Sequence, residues 1–229
     1  REVLAAAATG VALAVHFAAW FESIRRTSAA PSVTLVQAQP VFVAAGAWLL
    51  LRARVTRRMA GGIAVAVAGM ASMSLGDFLG GVAIGPRPLY GNALALTGAV
   101  SAAGYVLAGR SLRQRISLIP YVTVVYGVCV FVLLGFVLAA GHPLTGYPAR
   151  EWLLFVGLAV GPGLLGHTVL NWALAHLESS VVSVSLLGEP VGATRLAFAL
   201  LSAAPTPSTV VVGCVVLGGI YVTATADGA

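Results

Sequence analysis

Glu189 and Pro190 stand together inside an otherwise apolar run, residues 180–203, and are the residues of this chain best placed to do chemistry. An acid at membrane depth is costly, and where one occurs it faces a bundle interior or a water-filled cavity. Pro190 has no N–H, so the carbonyl of Leu186 loses its helical partner beside an ionisable side chain. Gln39-Pro40 repeats the device 150 positions earlier, with a neutral amide in place of the acid.

Spacing groups the remaining polar residues. His16, Trp20, Ser23 and Thr27 fall at i, i+4, i+7 and i+11, a single helical face that could line a cavity. The alternative makes Trp20 an interfacial anchor and His16 a hydrogen-bonding partner of a neighbouring helix. His167, Asn171 and Glu178 repeat the i, i+4, i+11 spacing, and Ser101 with Tyr105 and Ser185 with Glu189 are i, i+4 pairs. Gln37 and Gln39 can hydrogen-bond a polar solute or hold helices together.

These residue types suit the binding of a solute. Trp20 and Tyr105 can stack on an apolar or aromatic group. The amides of Gln39 and Asn171 fix orientation without demanding a charged partner. The substrate-binding candidates are therefore His16, Trp20, Gln37, Gln39, Tyr105, His167, Asn171 and Ser185. Glu189 and His167 are the candidate proton carriers, since a carboxyl and an imidazole can exchange protons inside a membrane protein. A purely structural Glu189 would instead pair with Arg195 or another helix. The sequence has no HExxH, no nucleophile elbow and no cluster of carboxylates with phosphate-binding arginines, so no catalytic residue, cofactor or metal is expected and the chain is read as not an enzyme. A membrane-embedded enzyme using His167 and Glu189 on a lipid-linked substrate, and a non-transporting membrane subunit, are the competing readings.

The elements that position these residues must lie in a bilayer. Of 229 residues 59% are hydrophobic and 9% charged, with a mean hydropathy of +0.96, against about 25% charged in a soluble domain. The fold class is all-α integral membrane protein, with helices expected over residues 3–24, 29–51, 59–75, 89–108, 119–140, 152–176, 180–203 and 206–224. Gly161-Pro162-Gly163 predicts a kink or break in the sixth, and residues 76–88 read as a linker. The net charge of +6 comes from thirteen Arg in short loops, which sets topology and argues against a nucleic-acid partner. Cys129 and Cys214 fall in apolar runs and read as small hydrophobes.

Self-comparison finds a repeat. His16 aligns with His167 at an offset of 151, and Gln39-Pro40, Thr56 and Gly69 align with Glu189-Pro190, Thr206 and Gly219 at an offset of 150. Three helices are thus duplicated, and the two between the copies have no counterpart before the first. An odd-numbered unit inserts its second copy upside down. Eight Arg lie on the side bearing the N-terminus and residues 52–58 and 110–115; Arg25, Arg26, Arg87 and Arg150 lie opposite. The visible termini are therefore expected in the cytoplasm of a multi-pass protein of the cell membrane.

The order His16 to Gln39-Pro40-Val41, the Gly-rich third helix, Gly91-Asn92-Ala93-Leu94-Ala95-Leu96 leading to Gly104-Tyr105 and Gly109-Arg110, and Glu189-Pro190-Val191 resembles the EamA-type branch of the drug/metabolite transporter superfamily. The resemblance implies ten helices in two inverted five-helix repeats around a cavity for small metabolites, with eight helices visible here and the first two lacking. Residues 1–76 would hold the last three helices of the first repeat, 77–88 an inter-repeat loop and 89–229 the second repeat. It implies export or exchange of a small polar or aromatic metabolite, amino-acid-like or drug-like, by alternating access. Its partners are that metabolite and the lipid bilayer, with a homodimer left open. Arg52-Ala53-Arg54 and Ser202-Ala203-Ala204 depart from the Gly-Glu that members often carry there.

Overall fold

The computed structural model describes residues 1–27, 29–79, 85–189, 191–192, 195, 199 and 207–226. Regular structure among them is helical throughout. The first half of the chain gives α1 (Glu2–Arg26), α2 (Ala29–Val36), α3 (Gln39–Leu51), α4 (Arg57–Leu79) and α5 (Pro88–Arg113). The second half gives α6 (Leu118–Ala139), α7 (Ala149–Leu158), a π-helical segment (Ala159–Gly166), α8 (His167–His176), α9 (Ser179–Ser185), a 3₁₀ turn (Leu186–Gly188) and α10 (Pro207–Ala224). Among the described residues five stretches are long and apolar enough to cross a membrane: Glu2–Arg26, Pro31–Leu51, Pro88–Arg113, Leu118–Ala139 and Ala149–His176. Ser179–Gly188 and Val210–Ala224 are apolar but shorter.

Two departures from the expected helices have a proline as their cause. The helix expected over 29–51 is two, separated by a turn at Gln37-Ala38. Pro40 has no N–H to offer the carbonyl four residues back, and the chain closes instead with shorter bonds, Ala38 N to Leu35 O and Val41 N to Ala38 O. The break expected at residues 161–163 is the π-helical segment around Pro162; its wide turns move each carbonyl's partner from i+4 to i+5 and so carry the ladder past a residue with no donor. α4 runs on to Leu79, past the expected end at 75. Ser28, Gly80, Gly81, Pro190 and Thr206 lie outside the described residues, and with them the comparison of Pro40 with Pro190 in depth.

The bundle is centred on α1, which packs against α5 and α6, while α3 lies on α5 and α9. Leu13, Ala14, Val43, Ala47, Ala103, Val106, Tyr121 and Leu174 form the larger core. Ala6, Ala14, Ala47 and Ala103 sit among its larger side chains and let helices approach closely, since lipid tails supply no hydrophobic drive between helices and close van der Waals packing must hold them. A second core joins α4 and α10 through Ala66, Met70, Val216 and Leu187. α7 stands apart, with none of its residues buried.

The α4/α10 crossing generates a test. A Cβ on Gly219 would sit 2.6 Å from the backbone nitrogen of Ala66 and 2.7 Å from the carbonyl oxygen of Gly62, whereas one on Gly218 would meet nothing within 4 Å. Gly219→Ala is expected to destabilise the protein by about 1–3 kcal/mol through overpacking, and Gly218→Ala to be neutral or stabilising by about 0.4–1 kcal/mol. Thermal unfolding of both variants in detergent checks the difference.

Candidate functional site

A cavity of about 870 Å³ opens between α1, α2, α3, α5, the π-helical segment, α8 and the turn before Glu189. Each interruption of regular helix contributes to its wall: Val36, Gln37 and Gln39 at the first, Ala159, Pro162, Gly163 and Gly166 at the second, Leu186, Gly188 and Glu189 at the third. Breaks in the backbone ladder are tolerated at membrane depth only where protein or water meets the freed groups, so this coincidence is expected of a working cavity. Most of the remaining wall is apolar or aromatic, with Leu13, Phe17, Phe21, Val106, Leu133 and Phe155.

Of the residues singled out by sequence, His16, Trp20, Gln37, Gln39, Tyr105, His167, Ser185 and Glu189 line this cavity. They come from five helices, α1, α3, α5, α8 and α9, and from the backbone breaks at Gln37 and before Glu189, so tertiary packing brings them together. His16 is 8% exposed, and its Nδ1 lies 3.0 Å from the carbonyl oxygen of Gly98. A carbonyl can only accept, so Nδ1 carries the proton and Nε2 is left with its lone pair in the neutral ring. Trp20 stacks on His16 at 5.8 Å between ring centroids. Tyr105 Oη is 3.4 Å from Nδ1 of His167, and the two rings meet edge to face.

Two buried donors at this wall lack partners. The Nε1 of Trp20 and the Nε2 of Gln39 make no hydrogen bond among the described residues. An unmet buried donor of this kind costs about 1–3 kcal/mol. Ser185 donates to the carbonyl of Val181 at 2.8 Å, leaving its lone pairs as acceptors. Glu189 is exposed where it borders the cavity, and among the described residues no cation, Arg195 included, lies within ion-pair distance of it.

Asn171 is placed differently from the expectation. It is fully buried outside the cavity wall, its Nδ2 donating to Tyr126 Oη at 3.2 Å and to the carbonyl of His167 at 2.8 Å. Tyr126 Oη continues to Thr168 Oγ1 at 3.2 Å. The amide therefore braces the turn that carries His167. The expected face of α1 divides likewise: Ser23 bonds to the carbonyl of Trp20 and to Ser32 of α2, and Thr27 is buried against Gly91. These two fasten helices. Glu178 leaves its expected face for an ion pair with Arg110 at 3.1 Å.

Sequence reasoning missed Phe17 and the end of α5. Phe17 sits between the two histidines, with ring centroids 5.1 Å from His16 and 5.3 Å from His167; its position directly after His16 was the available signal. Arg113 is 8% exposed, its Nε donating to the carbonyl of Asn171 at 2.9 Å. Arg110 and Gln114 donate to the carbonyls of Leu174 and Ala175 at 3.0 and 2.9 Å. Three side chains of one turn thus serve carbonyls at the end of α8, two of which have no partner within the helix.

The contrast between Asn171 and Gln39 can be measured. Asn171→Leu removes the amide's bonds to the Tyr126 hydroxyl and the His167 carbonyl, leaving that hydroxyl to Thr168 alone, and is expected to lower stability by about 1–3 kcal/mol. Gln39→Leu removes an unpartnered donor, so it is expected to leave thermal stability within about 1 kcal/mol while weakening solute binding at least several-fold. Melting curves and equilibrium binding on the same two variants separate the roles.

Comparison with known proteins adds the wider context. The model of the EamA-like transporter family matches residues 1–75 and 89–225. A solved crystal structure superposes with a TM-score of 0.77 at 18% identity, covering 100% of this chain and 89% of the other, a likeness that speaks for the fold. Among curated proteins none matches. With the family model covering nearly all of its length and its apolar helices suited to a bilayer, the chain belongs to the EamA-like transporter family and is a multi-pass membrane transporter of the drug/metabolite type.

Proposed function

We propose that the protein exports or exchanges a small polar or aromatic metabolite by alternating access, the solute binding in the 870 Å³ cavity. The observation that carries this reading is the wall itself: one acid with no cationic partner among the described residues, two histidines, two glutamines and a set of aromatic rings around a single space. An apolar cavity with a few convergent polar groups is the usual form of a small-molecule site. His16, Trp20, Gln37, Gln39, Tyr105, His167 and Ser185 are the binding residues in this reading, with Asn171 acting behind the wall. The two stretches matched by the family model support the division into residues 1–76, a connecting loop over 77–88 and residues 89–229. The same division fits eight visible helices from two inverted repeats. Rocking of one unit against the other would expose the cavity to each side in turn.

Glu189 couples solute movement to proton movement in this proposal, with His167 as the second proton carrier. The repeat supports it: the position matching Glu189 is the neutral Gln39, so one group rather than a symmetric pair titrates. Glu189→Gln is expected to abolish accumulation driven by a pH gradient in proteoliposomes while preserving solute counterflow, which needs the cavity and no net proton transfer. A well-folded variant with unchanged pH-driven transport would remove Glu189 from the coupling and leave His167→Gln as the decisive variant.

Orientation follows from charge. Eight Arg on one side against four on the other support a cytoplasmic location for both termini and for residues 52–58 and 110–115. Single cysteines at the exposed Arg115 and His142, introduced after replacement of Cys129 and Cys214, test this in intact cells. A membrane-impermeant maleimide is expected to label position 142 and not position 115; the reverse pattern would invert the topology.

A further inference from the structure

A second cavity, of about 340 Å³, lies away from the solute site at the end of the bundle where Arg110 holds Glu178. Its wall is Ala53, Arg54, Val55, Met59, Glu178 and Ser180. The chain reaches it by a turn at Arg52, whose φ of +53° puts a non-glycine residue in the left-handed region and folds the loop back over the end of α3, with Ala53 N bonded to Ala47 O at 3.0 Å.

Three observations give this cavity a chemical character. Arg54 has no ion-pair or hydrogen-bonding partner among the described residues, so its five donors face solvent or the cavity. Ser180 is 3% exposed, yet its hydroxyl makes no hydrogen bond among the described residues while its side chain lines the cavity. The carboxylate of Glu178, the one negative group among the described residues of the wall, is engaged by Arg110. Arg52 and Arg57 flank the site, also without a partner among the described residues.

We propose that this cavity binds a phosphate-bearing anion, with the Arg54 guanidinium and the Ser180 hydroxyl as its ligands. A guanidinium fork matches two phosphate oxygens at once, and a buried hydroxyl in need of an acceptor supplies a third bond. Two sources share this chemistry, soluble phosphate and the headgroup of an anionic phospholipid. Leu50, Leu51 and Leu177 are 75%, 37% and 48% exposed beside the site, so acyl chains would find apolar surface where a headgroup enters.

The test uses the full chain purified in detergent, titrated with inorganic phosphate and, separately, with phosphatidylglycerol or phosphatidylcholine in mixed micelles, with thermal stabilisation and apparent Kd as readouts. Binding is expected to weaken about tenfold in Arg54→Gln and about threefold in Ser180→Ala. It should change less than about twofold in Arg115→Gln, an exposed arginine elsewhere in the chain. Arg54→Lys keeps the charge without the fork and should fall between wild type and Arg54→Gln. Saturation by phosphate alone identifies a soluble ligand; a response confined to phosphatidylglycerol identifies the lipid. Equal losses in Arg54→Gln and Arg115→Gln would mean diffuse charge and overturn the proposal, as would a protein that responds to neither ligand. Melting of each variant without added anion shows whether it folds before binding is compared.

Discussion

Inside a bilayer every backbone N–H and C=O has to find its partner within the protein, and this constraint governs where the chain can be irregular. Regular helices satisfy it by themselves. The three departures, the turn at Gln37-Ala38, the π-helical segment Ala159–Gly166 and the 3₁₀ turn Leu186–Gly188, each accompany a proline. In the third, the N–H of Glu189 returns to the carbonyl of Leu186, the group that Pro190 cannot serve. All three departures border the same cavity. The prolines therefore do more than bend helices: they collect the chain's least self-sufficient backbone around the space that can accommodate it.

α5 holds this arrangement at both ends. At its start, the amide of Arg87 donates to the carbonyl of Arg26 at 2.9 Å, and Gly91 has no side chain to keep Thr27 at a distance. At its finish, Arg110, Arg113 and Gln114 serve the carbonyls of Asn171, Leu174 and Ala175. The two contacts differ in kind. The first is a backbone junction between rigid elements, whereas the second is made by long side chains able to let go one bond at a time.

Much of this was legible in the sequence, and the limits are instructive. Helix positions followed from apolar runs, and the break at residues 161–163 from its Gly-Pro-Gly. Eight polar residues chosen by spacing and membrane depth border one cavity, because a polar side chain in an apolar helix has few places to go. Spacing failed where it was asked to assign partners. Asn171 shares a helical face with His167, but one turn further along α8 that face meets Tyr126 instead of open space. Ser23 and Thr27 lie on the face of His16, yet meet α2 and α5. Periodicity gives direction from a helix axis; only packing decides what stands in that direction. The burial of Arg113 was hidden for the same reason, since its partners are main-chain carbonyls that carry no sequence signature.

The tryptophans divide the molecule optically. Trp20 borders the cavity and stacks on His16 and Phe21, whereas Trp48, Trp152 and Trp172 are 64%, 46% and 53% exposed on the outside of the helices. Brominated acyl chains would reach the outer three and leave Trp20 as the emitter that remains. Fluorescence from the unlabelled protein then becomes a report on one ring beside one imidazole, in which an arriving solute registers as a change of environment within the cavity itself.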